Sequence, residues 1–454
     1  MRRTMRLAFI LSLTLPFAVL VSCGDTPQEI GDSATLGLAV GQPIVVTNPA
    51  ELIAALTPDN AGRRILVRAG TYDVDTRLTV PDGATLEGEG VMLFDADGLP
   101  SGFAPGTRTT LNMTANTAGD LLTLGDGATI RGLEIADLPG RAGNVVAVVS
   151  RSAGDRVSAT IAETEIVNPN PVGGQTGYGL FVVTRNLNLG APPLPHESAA
   201  ITARMLRSVV RSPAGGGGLF AFNFAPLASV SVTLTGNVIG GAVTANGGVS
   251  LPDAVHDSRV RIESHRNLYR DDTTNPCTVL SRGWNLTGGS GPPVPLPVPE
   301  TARNTLRFHS LDDRIEGFAN AVLATGARRF FGSPIAGPST DNRLELTLLG
   351  GTISTPSCGG ASFAADLDLA GAFAANDALF PGDGNQLRAV IRGVTGSGPR
   401  FNQYANAEGP SGPLAPALQA GNLLELAGSP QAFTLTNPGI DPAPGTEHFT
   451  GGPK

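Results

Sequence analysis

The sequence predicts an all-β solenoid, and three observations carry that reading. A short phrase returns through the second half of the chain as Asn304-Thr305-Leu306-Arg307-Phe308, Asn342-Arg343-Leu344-Glu345-Leu346, Asn385-Gln386-Leu387-Arg388-Ala389 and Asn422-Leu423-Leu424-Glu425-Leu426. Its asparagines are spaced by 38, 43 and 37 residues, within the range of stacked repeat architectures. Each phrase sets apolar residues at alternate positions, the period of a strand with one buried face. The composition agrees: 59 Gly, 36 Pro and only 15% charged residues in 454 suit many short strands joined by turns. Looser copies at Ser229-Val230-Ser231-Val232 and Ser258-Arg259-Val260-Arg261-Ile262 extend the repeat toward the N-terminus.

The N-terminal segment has its own character. Arg2, Arg3 and Arg6 precede the apolar run 7–21, which is short for a membrane span. The run ends in Leu20-Val21-Ser22-Cys23-Gly24, which resembles the bacterial lipobox. That resemblance implies a lipoprotein signal peptide over 1–22, cleavage before Cys23, and acylation, palmitate included, of Cys23. Several acyl chains on one cysteine anchor firmly, at about 0.8 kcal/mol per buried methylene. Gly24 stands where an aspartate would favour inner-membrane retention in enteric bacteria, so the expected location is the outer membrane or cell surface. Residues 23–42 carry no periodicity and read as the lipidated cysteine followed by a flexible tether.

Folded structure is expected from residue 43. Asn48-Pro49-Ala50-Glu51 supplies an N-cap residue, a proline at the first helical position and a glutamate three residues on. This predicts a short helix that caps the first coil, whose open edge would otherwise be exposed. Ile65-Leu66-Val67, the turn Ala69-Gly70-Thr71-Tyr72, Leu78-Thr79-Val80 and the run Gly83-Ala84-Thr85-Leu86-Glu87-Gly88 follow. The last run is echoed at Gly127-Ala128-Thr129-Ile130-Arg131-Gly132. This entry, over residues 44–90, resembles the right-handed parallel β-helix proteins of the pectin-lyase type. The resemblance implies a single-stranded right-handed parallel β-helix over 43–440, with 441–454 as a C-terminal tail. The phrases predict about ten coils, with two strands in each, stacked at roughly 4.8 Å. Cys277 and Cys358 lie in an exported chain where a disulfide is permitted. On the predicted register they are two rungs apart, so both a disulfide formed by a bent turn and two free thiols fit the sequence.

Candidate chemistry concentrates in 259–329, where ten arginines face seven acids in a chain of net charge -8. The acidic balance argues against nucleic acid as a partner. Asp312, Asp313 and Arg314 are the candidate catalytic group, since carboxylates on adjacent rungs could act as acid and base on a glycosidic bond. Arg266, Arg270 and His309 are candidates for binding an acidic glycan, with Tyr269 and Trp284 stacking on a sugar ring. A polar turn cluster tied by internal salt bridges accounts for the same residues. The outward positions Arg261, Arg307, Glu345, Arg388 and Glu425 predict a charge ladder. The five histidines, His196, His256, His265, His309 and His448, show no metal-ligand spacing, and no metal or cofactor is expected.

The family motifs mostly fail to appear. Asp312-Asp313 matches one phrase of the β-helix polygalacturonases, whereas Arg314-Ile315-Glu316 lacks the lysine of another. The sole lysine is Lys454, which leaves no lysine base for a lyase. Three functions are therefore expected, in this order. The first is a lipid-anchored, monomeric envelope protein presenting a lateral surface to envelope or extracellular polysaccharide without efficient catalysis. The second is a divergent polysaccharide lyase or glycoside hydrolase. The third is a structural surface protein or adhesin.

Overall fold

Three long sheets, each made of parallel strands, run through the protein in a computed structural model. It describes residues 41–454 except 115–118, 173–175, 185–195, 250–253, 278–280, 292–299, 330–338, 357, 359–364, 375–383, 397–400, 409–422, 429–446 and 451–454. Cys23 lies outside the described residues. Sheet 1 has thirteen strands, from Ile44–Val46 to Glu447–Thr450, and sheets 2 and 3 have ten each. Sheet 2 starts at Gly70–Val74 and sheet 3 at Leu78–Val80. Successive strands of one sheet come from successive repeats, so the architecture is a parallel β solenoid. The final strand, Glu447–Thr450, pairs with Leu423–Gly428 inside the segment the sequence assigns to a tail.

The repeated phrase forms sheet 1. Leu306, Leu344, Leu387 and Leu424 stand in register and are buried, as are Phe308 and Leu346 beside them. Burying one such side chain contributes about 1.5–3 kcal/mol. The opposite face carries Arg261, Arg307, Glu345, Arg388 and Glu425 in one row. Arg307 pairs with Glu345 at 2.6 Å and Arg388 with Glu425 at 3.5 Å. Exposed pairs of this kind contribute only about 0–1 kcal/mol each.

A complete coil gives one strand to each long sheet, three where the sequence suggests two, and three coils add a two-residue strand at Val255–His256, Thr301–Ala302 and Ser339–Thr340. The overlooked strands belong to sheet 2 and are as short as Leu268–Arg270 and Arg314–Glu316, three residues each. Only two residues separate them from the end of a sheet 1 strand, so the alternation reads as continuous with it. That tight turn repeats rung after rung. Its first residue is left-handed at Gly132, Glu163, Arg207, Gly236, Arg266, Asp312, Gly350 and Gly393, with φ between 46° and 66°. On five consecutive rungs its second residue is buried and polar and joins a hydrogen-bond ladder. Thr164 N donates to Ser208 Oγ at 3.1 Å, Ser208 N to Asn237 Oδ1 at 2.9 Å, Asn237 N to Asn267 Oδ1 at 2.8 Å, and Asn267 N to Asp313 Oδ1 at 2.8 Å.

A second ladder explains the asparagine that opens the first three phrases, Asn422 lying outside the described residues. Ser258 N donates to Asn304 Oδ1, Asn304 N to Asn342 Oδ1, and Asn342 N to Asn385 Oδ1, at 3.0, 3.1 and 3.0 Å. All three asparagines are fully buried, where an amide must be hydrogen-bonded to be tolerated. Stacked at one rung spacing, each amide satisfies its neighbour's backbone N–H.

Two additions lie outside the coils. The helix Pro49–Ala55 has Asn48 as its N-cap, accepting from Glu51 N at 3.0 Å, and buries Leu52 and Ala55 in the main core. An antiparallel hairpin, Met92–Phe94 with Pro100–Phe103, covers part of the outer face of sheet 2, where Met92 and Leu99 meet Val209 and Val238. Among the described residues no helix is long and apolar enough to cross a membrane.

Cys277 and Cys358 form a disulfide with Cα atoms 5.4 Å apart. They follow the sheet 2 strands Leu268–Arg270 and Thr352–Ser354, and Arg314–Glu316 lies between these two strands. The middle rung re-enters sheet 3 at Asn320 after only 317–319, whereas the flanking connections span 271–281 and 355–364. The two longer connections meet across the short one, which removes the geometric objection to a bond over two rungs.

Candidate functional site: a cleft on the outer face of sheet 3

Sheet 3 alternates inward and outward side chains like the other two, but its outward residues change character along the solenoid. On the rungs Tyr178–Val183 and Gly217–Phe222 they are apolar and buried: Tyr178, Phe181, Phe220 and Phe222, with Phe224 just beyond, form a cluster separate from the main core. Phe220 stacks on Phe222 with ring centroids 3.8 Å apart and on Phe181 at 5.1 Å. On the next rungs the same face becomes polar. Thr244 pairs in register with Phe220, and Asn285 with Thr244.

A cleft of about 670 Å³ opens where the two characters meet. Tyr178, Phe220 and Phe222 line its apolar end, and Thr244, Asn285 and Thr287 line its polar end. Val172 and Pro213 stand on one wall, and Asp271, Thr273 and Arg282 on the other. Glycines keep the apolar end tight, since a Cβ on Gly217 would lie 2.0 Å from the Tyr178 ring. Burial raises the Tyr178 hydroxyl to a pKa of about 12, against a smaller opposing effect of its hydrogen bond with Thr244. Tyr178 is therefore a neutral phenol at physiological pH.

Asp271 is the one carboxylate among the described lining residues, and its oxygens are engaged. One accepts from Thr273 N at 2.8 Å and the other from Ser281 Oγ, so the side chain fixes its own loop. That loop also carries Cys277, so the disulfide tethers the cleft wall.

The residues singled out in the sequence scatter. Asp312 and Asp313 are adjacent turn positions, the first exposed and left-handed, the second buried in the ladder. Asp313 Oδ1 accepts from Asn267 N and Nδ2, and its Oδ2 accepts from Ser310 Oγ at 2.6 Å. Burial pushes its pKa up, and hydrogen bonds from Ser264, Ser310 and Asn267 oppose the rise. The two carboxyls do not flank a common space, so they are no acid–base pair. Arg314 donates to Asp97 at 2.9 Å and so ties down the hairpin over sheet 2.

The aromatic expectation also needs correction. Tyr269 and Trp284 are inside the solenoid at 0% and 1% exposure, with rings edge to face at 5.2 Å. Tyr269 bonds Ser264 Oγ at 2.6 Å, and Trp284 packs on Phe308. Neither ring can stack on a sugar. Arg266 is the left-handed residue of its turn, and Arg270 donates to Asp272 at 2.7 Å on the outer face of sheet 2. Arg270 and Arg314 do lie on adjacent rungs of that face, but each is taken up by an acid and neither reaches the cleft on sheet 3.

One juxtaposition escapes the sequence. Glu263 and His265 alternate on the strand Arg259–His265, and His309 faces Glu263 from the next strand. One donor atom from each lies within 4.8 Å of the other two. His309 Nδ1 is 2.9 Å from Glu263 Oε2, and His265 Nε2 is 3.8 Å from it. Burial raises the Glu263 pKa, but hydrogen bonds from Arg261 and His309 outweigh it and hold the carboxyl below its ordinary value. The signal for this cluster was the Glu-x-His spacing, which places two donors on one face of a strand. No protein-family model and no curated protein matches the chain.

Proposed function

We propose that this protein is a lipid-anchored component of the bacterial cell envelope that binds polysaccharide in the sheet 3 cleft, without efficient catalysis of its own. The proposal takes the fold as a right-handed β-helix of the pectin-lyase type, about ten coils long and capped by the helix Pro49–Ala55. It takes Cys23 as the acylated residue. The observation that carries the reading is the cleft. Aromatic edges at one end offer an apolar floor to the C–H face of a sugar, and hydroxyl and amide groups at the other match its hydroxyls. Its volume falls within the usual range for small-ligand sites. The engaged state of Asp271 favours binding over hydrolysis, because two cooperating carboxyls are needed for the common glycosidase mechanism.

A panel of acidic and neutral polysaccharides tests the reading in one format, with retardation in affinity gels for binding and release of reducing ends or unsaturated uronate for turnover. Binding is expected, and Arg282→Ala with Asn285→Ala should weaken it at least about tenfold, the equivalent of one lost hydrogen bond of about 1.4 kcal/mol. Arg266→Ala and Arg270→Ala, outside the cleft, should not. Silence across the panel, or equal effects of both pairs, defeats the assignment; turnover would favour the lyase or hydrolase reading. Cys23→Ser should move the protein out of the membrane fraction. Normal processing and membrane retention of that variant would remove the anchor.

A further inference from the structure

On the outer face of sheet 1, remote in kind from the sheet 3 cleft, we propose that Glu263, His265 and His309 form a binding site for a divalent first-row transition metal ion. Three observations lead there. The donor set is two imidazoles and one carboxylate, a combination suited to such ions and poorly suited to calcium or magnesium. Their donor atoms gather within 4.8 Å, whereas ligands about 2.0–2.1 Å from a tetrahedral ion lie roughly 3.3 Å apart. The present separations of 2.9 and 3.8 Å from Glu263 Oε2 bracket that value, so small side-chain rotations complete the geometry.

The third observation is His265. Its Nε2 atom is shielded from solvent and has no hydrogen-bond partner, although its neighbours on this face include hydroxyls. A shielded imidazole nitrogen without a partner is costly unless something binds it. Thr235 and Leu311 stand beside His265 in register, and neither serves the nitrogen.

The surrounding groups set the site's character. Arg261 donates to Glu263 Oε1 at 2.7 Å, which leaves Oε2 for the ion and fixes the carboxylate plane. Arg307 is taken up by Glu345 on the adjoining rung. Thr347 lies opposite His309. Among the described residues three protein ligands converge on an open sheet face, so one coordination position points to solvent, as in zinc sites that exchange a water or an external ligand. The strands themselves are rigidly registered through seven paired positions, so the ligands need little reorganisation.

The test uses the untagged full chain, stripped with a chelator and equilibrated by dialysis against zinc chloride, with bound metal counted by mass spectrometry. One zinc per chain is expected. His265→Ala and His309→Ala should each weaken binding at least tenfold, while His196→Ala and His256→Ala leave it unchanged. Cobalt(II) added to the unsubstituted chain should develop a tetrahedral visible absorption that zinc abolishes, a readout independent of any variant's folding. The proposal is overturned if the parent chain holds no more zinc than a His265→Ala/His309→Ala double variant, or if cobalt retains its octahedral aqueous spectrum.

Discussion

Replacing Asp313 separates a structural from a catalytic role, and the structure sets the size of the effect. Its carboxylate accepts from Asn267 N, Asn267 Nδ2 and Ser310 Oγ, all in the buried turn ladder. Asp313→Ala strands two donors, Asn267 N and Ser310 Oγ, each costing about 1–3 kcal/mol when left unsatisfied, whereas Asn267 Nδ2 keeps Leu234 O and Ser264 Oγ as acceptors. Allowing for partial relaxation, the loss should be roughly 2–4 kcal/mol, a large part of an ordinary domain's stability. Asp313→Asn should behave differently. Asparagine fills the same position at Asn237 and Asn267, its Oδ1 can accept both Asn267 bonds, and the Ser310 hydroxyl can turn to accept from Nδ2.

The pH dependence gives the argument a sign. Burial raises the Asp313 pKa above the ordinary value of 3.8, so the folded chain holds this proton to higher pH than the unfolded chain. The associated stability is fully present below the unfolded pKa and is lost as pH rises through the folded one. Asp313→Asn has no proton to lose, so its stability relative to the parent should rise with pH from 3.8 upward and level off above the folded pKa. Urea unfolding of parent, Asn and Ala forms across that range measures it. If Ala unfolds like the parent, or Asn costs as much as Ala, the ladder assignment is wrong.

Three further outcomes are expected. Arg266→Gly relieves a left-handed non-glycine residue at φ 54°, and should raise stability by about 1 kcal/mol in thermal unfolding, less the added chain entropy of glycine; a falling midpoint would mean that the arginine makes a contact worth more than the strain. Cys277→Ser opens a loop with a sequence separation of 81, for which chain entropy gives about 4.5 kcal/mol, measurable as a matched loss on reduction of the parent. Thr244→Phe continues the Phe181–Phe220 row by one rung into the cleft and should abolish polysaccharide retardation while leaving the circular dichroism of the sheets unchanged.

What could be read from the sequence follows from how local each feature is. Sheet 1 strands are up to seven residues long, so Leu344 and Leu346 declare their face by alternation alone. The register of Arg307, Glu345 and Arg388 came with it. Tyr269 sits in the middle of a three-residue strand, too short for alternation to choose a face, and its polar neighbours suggested the surface. Trp284 was readable, since Leu286 two positions on is also inward. Asp312 and Asp313 misled for a chemical reason. A left-handed turn favours aspartate at its first position, a buried ladder needs an acceptor at its second, and a pair of acids satisfies both without any catalytic demand. The metal cluster and the cleft depend on which rungs are adjacent, and loops of unequal length hide that from spacing.

The location of the cleft follows from how the three outer faces are disposed of. Sheet 1 can face water because its outward row alternates in charge over Arg307, Glu345, Arg388 and Glu425. On sheet 2 the hairpin 92–103 covers the outward residues Val209 and Val238 and is held at Asp97 by Arg314. Sheet 3 passes from one strategy to the other within itself, from Phe220, which must be covered, to Thr244 and Asn285, which need no cover. At such a seam the covering material has to stop, and a step is left in the surface. The step is apolar on one side and polar on the other by construction, and its lining residues Asp271, Thr273, Thr274 and Asn275 lie in a connection tethered two rungs away through Cys277. A flexible wall would have to be ordered each time a ligand bound, at an entropic cost that this tether removes in advance. A ligand that fits must itself have one apolar and one hydroxylated face, as a pyranose ring does.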